Sequence, residues 1–168
     1  MDGTGEGGDA AAIEAVRALK HAYFRLLDTK QFAALGELFT EDGTTAYEAG
    51  ALAHRGRAAI VAFLEESLSG PGIVTVHTGH HPEIELHPDG TATGTWYLAD
   101  RVVVPAADLV IAATALYHDT YVETPEGWRI AHTGYERIYE ERRRHSTGEL
   151  ISFSSRFEPA DVTEEDHG

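Results

Sequence analysis

Tyr23, Asp28, His77, Asp100 and Arg137 are the residues best suited to chemistry, because each is a polar group set into an apolar pattern. A phenol donates a hydrogen bond to a carbonyl, an imidazole titrates close to neutral pH and moves a proton, and a neighbouring carboxylate orients the ring. Tyr23 falls on the stripe Val16, Leu19, Tyr23, Leu26, where its hydroxyl needs a partner if it is covered. Taken alone, it also reads as a core tyrosine with its tip at the surface. Asp28 closes the same segment. A carboxylate at that end opposes the helix dipole by roughly 0.3–1 kcal/mol. Either another interaction favours it or it is an exposed turn residue in Asp28-Thr29-Lys30.

His77-Thr78-Gly79-His80-His81 lies in an extended segment, with 77, 79 and 81 on one face and His80 opposite. Imidazoles are good zinc ligands, but such a strand offers only His77 and His81 on one side, and no third ligand is apparent. One pocket histidine acting as general acid and base fits better, with neither metal nor cofactor. In the next segment Ala92, Gly94, Trp96, Leu98 and Asp100 alternate onto one face, so Asp100 sits at a wet rim or inside a cavity. Tyr117, Asp119 and Tyr121 share a face in the following one, and Arg137 lies within His132-Thr133-Gly134-Tyr135-Glu136-Arg137. An arginine there is more often a salt-bridge partner than a substrate clamp. Trp96, Tyr117, Tyr121 and His81 are the expected substrate-binding wall of one apolar pocket on which the reactive set converges.

Positioning these residues takes a helical third followed by a strand-rich remainder. Apolar periodicity predicts a helix over 10–27 capped by Asp9, a short helix over 31–39, and a third over 57–68 with Ile60, Val61 and Leu64 inward. A small hairpin, 45–47 with 51–54, separates the last two. Extended segments follow at 73–86, 91–104, 109–124 and 128–139, joined by His87-Pro88-Asp89-Gly90, by residues 105–108 and by Pro125-Glu126-Gly127. Three N-terminal helices packed on a curved antiparallel sheet make an α+β cone over residues 10–142. A Gly-rich, disordered tail precedes it at 1–9, and an acidic, partly disordered extension follows at 143–168.

The 168 residues suit one domain, and 42% hydrophobic with 24% charged is an ordinary globular mixture. No apolar run approaches the roughly 18 residues of a membrane span, and a basic-then-apolar leader is missing, so no membrane association is expected. The absence of cysteine excludes disulfides, thiolate metal sites and a cysteine nucleophile, and points to the cytoplasm. With 28 acidic against 13 basic residues the net charge is −15, which repels phosphate backbones and excludes nucleic acid as a partner. Arg142-Arg143-Arg144 follows Glu140-Glu141 and reads as a solvated helix or strand end.

Helix-hairpin-helix-sheet order resembles the SnoaL-like branch of the nuclear-transport-factor-2-like (cystatin-like) superfamily, and within it the bile acid 7α-dehydratases. The resemblance rests on Tyr23-Phe24-Arg25-Leu26-Leu27-Asp28, His77-Thr78-Gly79-His80, Pro82-Glu83-Ile84, the run from Thr91 to Asp100, and Thr133-Gly134-Tyr135-Glu136-Arg137-Ile138-Tyr139-Glu140-Glu141. It implies that Tyr23 binds a ring carbonyl, Asp28 orients the histidine, His77 is the base, Asp100 is a second pocket acid, and Arg137 fixes Asp100 or a substrate carboxylate. The activity so implied is a cofactor-independent dehydratase, with a ring isomerase or cyclase, or a non-catalytic small-ligand-binding cone, as alternatives. His81 and His54 near the mouth depart from the resemblance, and Lys20 and Lys30 are the only lysines. Such Ala-, Gly- and Arg-rich composition suggests a high-GC genome, at odds with the gut anaerobes expected to transform bile acids, so a hydrophobic steroid-like or polyketide-like ring is expected rather than a bile acid itself. The sheet face opposite His77 carries Val74, Val76, Tyr97 and Val103, so a homo-oligomer is expected, a trimer as in dehydratase relatives or a dimer as in the wider superfamily.

Overall fold

One seven-stranded sheet, curved around a long helix, organises residues 4–157, the part of the chain described by the structure, a computed structural model. The elements in order are α1 (Thr4–Asp28), α2 (Phe32–Gly36), β1 (Phe39–Tyr47), β2 (Leu52–Arg55), α3 (Arg57–Leu68), β3 (Val74–Leu86), β4 (Thr91–Val104), β5 (Leu109–Thr124), β6 (Gly127–Arg144) and β7 (Leu150–Ser155). The strand order is β2-β1-β6-β5-β4-β3, with β7 also on β6.

Helix α1 begins six residues before Ala10, and Asp9 lies inside it rather than capping it. Once a helix is nucleated, each further residue adds a hydrogen bond cheaply, so the alanines at 10–12 carry the helix back over Gly7 and Gly8. Residues 1–3 of the expected tail lie outside the described residues. Its buried face is Val16, Leu19, Lys20, Tyr23, Leu26 and Leu27, packed on the sheet with Trp96, Leu98, Tyr117 and Ile130. The second helix is a single turn, and Phe39 opens a strand instead of ending a helix. Helix α3 has the predicted bounds, with Ile60 and Leu64 buried and Val61 only partly so.

The sheet is mixed rather than antiparallel, because β1 runs parallel to β6. Strand β6 is long enough to serve two neighbours on one edge: its first half pairs with β1 and its second half with β7. Of the extension expected to be partly disordered, residues 143–155 form a turn and strand, where Arg143 pairs with Leu150 and Tyr139 with Ser155. Tyr139 stacks on Phe153 at 6.0 Å between ring centres. Residues 158–168 of that extension lie outside the described residues. Arg142 and Arg143 pair with Glu140 and Glu141 along the end of β6.

Gly79 shows how closely α1 meets the sheet. A Cβ there would lie 2.5 Å from Phe24 Cε2 and 3.3 Å from Trp96 Cε3. Gly79→Ala is therefore expected to destabilise the fold by about 1–3 kcal/mol through forced repacking, read as a lower urea midpoint; an unchanged midpoint would contradict this packing. The outer face of β3 and β4 leaves Val74, Val76 and Tyr97 half exposed, and Leu150, Ile151 and Phe153 are about half exposed on β7, across β5 and β6 from them. No helix among the described residues is long and apolar enough to cross a membrane.

Candidate active site

Between α1, α3, the β1–β2 turn and the concave sheet lies a cavity of about 140 Å³. Tyr23, Leu27, Phe63, Leu64 and Leu68 form its helical side, with Tyr47 and Leu52 from the turn region. The sheet contributes His77, Asp100, Val102, Tyr117, Tyr135 and Arg137. All five residues singled out for chemistry are thus brought to one place except that Asp28 stands behind His77, as its hydrogen-bond partner.

Asp28 is where it is because the end of α1 abuts β3. Its Oδ1 lies 2.6 Å from His77 Nδ1, and its Oδ2 accepts the His77 backbone N–H at 2.8 Å. Thr75 Oγ1 donates to Oδ1 at 2.9 Å, and Lys30 Nζ donates to Thr75 Oγ1 at 2.7 Å. These bonds offset the unfavourable helix end. Burial alone would raise the Asp28 carboxyl, but the hydrogen bonds and charge of His77 and the bond from Thr75 hold it below its ordinary range. An ionised Asp28 accepts from Nδ1–H, so Nε2 is the basic nitrogen left for the cavity. Unfolded, an aspartate titrates at about 3.9. The stabilisation from Asp28 is thus complete above that value and is lost as pH falls through the lower folded-state value. Asp28→Asn should flatten the acid limb of a stability-against-pH curve; a limb parallel to the wild-type one would exclude this linkage.

Register supplies the next step. His77 is directly opposite Asp100 across β3 and β4, so both side chains point to the concave face. Asp100 is paired to Ala113, and Arg137 to Ala115. The two alanines leave room above β5 for the Arg137 guanidinium to reach Asp100, Nη1 to Oδ1 at 2.7 Å. Arg137 Nε also donates to Glu48 Oε1 at 3.1 Å, and the Tyr135 hydroxyl donates to that oxygen at 2.8 Å. Of the two roles open to Arg137, it fills the salt-bridge one.

Glu48 stands behind Arg137, off the cavity wall, on a turn with left-handed backbone at Glu48 (φ 51°) and Ala49 (φ 54°), followed by Gly50 (φ 91°). Each non-glycine residue in this region costs on the order of 1 kcal/mol, which the two hydrogen bonds of Glu48 offset. At the back of the cavity the Tyr23 and Tyr47 hydroxyls are 2.9 Å apart. Burial pushes the phenols of Tyr23, Tyr47 and Tyr117 well above their usual range, so all three stay neutral donors. The Tyr23 hydroxyl bonds with those of both Tyr47 and Tyr117, so the three phenols form one hydroxyl cluster at the back of the cavity.

Three of the expected wall residues are elsewhere. His81 is exposed, with φ 47°, and meets the outer-face Tyr97 edge-on, because the ladder shifts register between His80 and Glu83 and breaks the alternation. Trp96 and Tyr121 have the expected facing but lie deeper under α1: Trp96 Nε1 donates to Tyr121 Oη at 3.0 Å, and Tyr121 donates to Asp119 Oδ2 at 2.6 Å. Tyr117 does line the cavity, and His54 stacks on Phe63 with ring centres 4.0 Å apart. Asp119 belongs to an arrangement that the sequence pattern does not announce. Lys20, fully buried, places Nζ 2.8 Å from Asp119 Oδ2, 3.1 Å from Thr133 Oγ1 and 3.6 Å over the Tyr117 ring. Burial lowers the Lys20 pKa and Asp119 counters that effect. One signal does exist: Val16, Lys20, Tyr23 and Leu27 follow helical spacing, which puts a lysine on a buried stripe. Tyr47 and Tyr135 on the cavity wall, and Glu48 as the partner behind Tyr135 and Arg137, are further parts of the site that sequence reasoning misses, and nothing in a short turn or an alternating strand marks them. No cluster of three or more metal-ligating side chains occurs among the described residues.

Comparison with known proteins adds the lineage. The SnoaL-like domain matches residues 8–134. The chain belongs to this family. Among solved structures, the SnoaL-like chain is similar to an NTF2-like protein with a cystatin-like fold from Novosphingobium aromaticivorans, at 26% identity and a TM-score of 0.67 over 82% of this chain and 90% of that one. It is also similar to ActVI-ORFA from Streptomyces coelicolor, at 25% identity and a TM-score of 0.63 over 74% of this chain and 96% of that one. A scytalone dehydratase-like protein from N. aromaticivorans shares the fold at 18% identity and a TM-score of 0.70, with 91% of this chain and 97% of that one covered. The α+β, cystatin-like cone of the SnoaL-like family is therefore its architecture, with the sheet and short helix as corrected above.

Proposed function

We propose that this SnoaL-like chain is a cofactor-independent dehydratase of a hydroxylated steroid-like or polyketide-like ring. The observation that carries the reading is the Asp28–His77 pair, 2.6 Å apart, opening onto an apolar cavity beside Asp100. A ligand-binding cone has no use for a carboxylate that fixes the tautomer of a cavity imidazole. A cavity of about 140 Å³ matches the space that takes a single benzene ring, so the reacting ring sits inside and the remainder extends past Leu52 and Leu68.

In this reading the Tyr23–Tyr47 pair donates to the ring carbonyl oxygen. His77 Nε2 takes a proton from the activated ring carbon, and the C–H electrons pass into a dienolate whose oxygen that hydrogen bond stabilises. Collapse of the dienolate breaks the C–O bond, and the departing hydroxyl leaves as water with the proton from Nε2. Asp100, held by Arg137, positions that hydroxyl. The cytoplasm is the compartment proposed, and self-association is proposed through the half-exposed Val74, Val76 and Tyr97 face. A monomer mass by light scattering would contradict the last point.

The test is incubation with hydroxylated 3-oxo-Δ4-steroids and hydroxylated polyketide-type rings, followed by mass spectrometry and by solvent-deuterium exchange. Water loss that His77→Ala abolishes supports the proposal. Deuterium uptake without water loss makes the chain an isomerase or cyclase, which shares the enolisation step. Silence in both assays favours the binding cone.

A further inference from the structure

We infer that Glu48 makes this cavity selective for uncharged ring ligands and closes it to ring carboxylates, an inference that deepens the proposed function by fixing the charge class of the substrate. Arg137 is the only arginine or lysine lining the cavity among the described residues, and a carboxylate entering would seek it. Its fork is already engaged: Nη1 on Asp100 at 2.7 Å, Nε on Glu48 at 3.1 Å, and Nη2 turned to the Tyr135 hydroxyl at 3.4 Å. Glu140 Oε2 is also 3.7 Å from Nε, but its other oxygen is held by Arg142 at 2.7 Å. One guanidinium is thus shared by two carboxylates of its own, and the surroundings of Arg137 are net negative.

On the opposite wall Asp28 is balanced by Lys30 through Thr75, so the surplus charge sits at the Arg137 end. Asp100 is nearly sealed from solvent, its side chain 4% exposed, whereas that of Glu48 is 35% exposed. Glu48 stands behind Arg137, off the cavity wall, so loss of its charge would leave Arg137 less neutralised toward an anion in the cavity while keeping the Asp100 bridge in place. A neutral hydroxyl or carbonyl meets no such barrier, since it only needs a donor or acceptor. An incoming carboxylate would meet Asp100 on the cavity wall and the charge of Glu48 behind Arg137, with one guanidinium to balance both.

The test uses the full chain and two ligands of one shape, 2-naphthol and 2-naphthoate, with binding followed by fluorescence at pH 7. Wild type is expected to bind naphthol in preference to naphthoate. Glu48→Gln keeps an acceptor for Tyr135 and removes the charge; it should tighten naphthoate by about tenfold and leave naphthol nearly unchanged. Glu48→Ala should move the ratio the same way and covers the case in which the glutamine variant misfolds. Glu85→Gln, an equal loss of charge on the exposed face of β3, should leave the ratio as in wild type. Equal wild-type affinity for both ligands, an unchanged ratio in both Glu48 variants, or no binding of either ligand overturns the inference. Turnover is not read, so the selectivity stands or falls apart from the dehydratase reading.

Discussion

Replacing His77 with alanine is expected to lower turnover of a dehydratable ring by about a hundredfold or more, the usual worth of a positioned general base, with little loss of stability. The backbone explains the second half. Asp28 keeps two of its bonds in the variant, from the residue-77 N–H at 2.8 Å and from Thr75 at 2.9 Å, so α1 stays tied to β3. The imidazole side chain itself is only 10% exposed, and its removal enlarges a cavity that is already open to solvent. Asp28→Asn should also depress turnover, because an amide does not hold Nδ1–H as a carboxylate does. The measurement is kcat with the melting temperature beside it. Near-normal turnover in a folded His77→Ala protein would remove His77 from the mechanism.

The largest effect on stability is expected at Lys20. Lys20→Met leaves Asp119 buried with its countercharge gone, and breaking a buried pair by one partner costs about 3–5 kcal/mol. Asp119 has little else to fall back on: Tyr121 donates to Oδ2, and Oδ1 has no hydrogen-bond partner among the described residues. Lys20→Met with Asp119→Asn removes both charges and should recover most of the loss, as a double-mutant cycle would show. At roughly 2–4 °C per kcal/mol for a chain of this size, the single variant should melt about 10 °C below wild type. A single variant no worse than the double one would mean that the ion pair is not what holds these groups in place.

Much of this arrangement is legible in the amino-acid sequence. The stripe of α1, the bounds of α3 and the four long strands follow from period and turn residues, and alternation alone puts His77 and Asp100 on inward faces. What alternation leaves open is depth along a strand and continuity of register. Trp96 and Tyr121 face inward but end under α1, next to the buried lysine's partner Asp119. His81 is turned out because the ladder slips beside it. β7 carries no signal of its own, since Leu150, Ile151 and Phe153 all remain about half exposed and no hydrophobic alternation marks the strand. Lys20 is hidden for the opposite reason: a lone lysine among apolar neighbours is ordinarily read as one that reaches solvent, and here its partner Asp119 lies on a distant strand.

The parallel placement of β1 against β6 has a consequence for how the protein comes into being. Phe39 pairs with Ile130 and Thr45 with Thr133, so the strand that carries Tyr47 into the cavity waits for a partner about ninety residues further on. Arg137 follows on that same late strand. During synthesis, α1, α3 and the β3–β4 hairpin with its His77–Asp100 couple can assemble while the wall built from Tyr135 and Arg137 has yet to leave the ribosome. The cavity is therefore completed last. Pairings of such sequence separation place this chain among the slower folders of its size, with the exposed flank of β1 the surface most in need of protection in the interval.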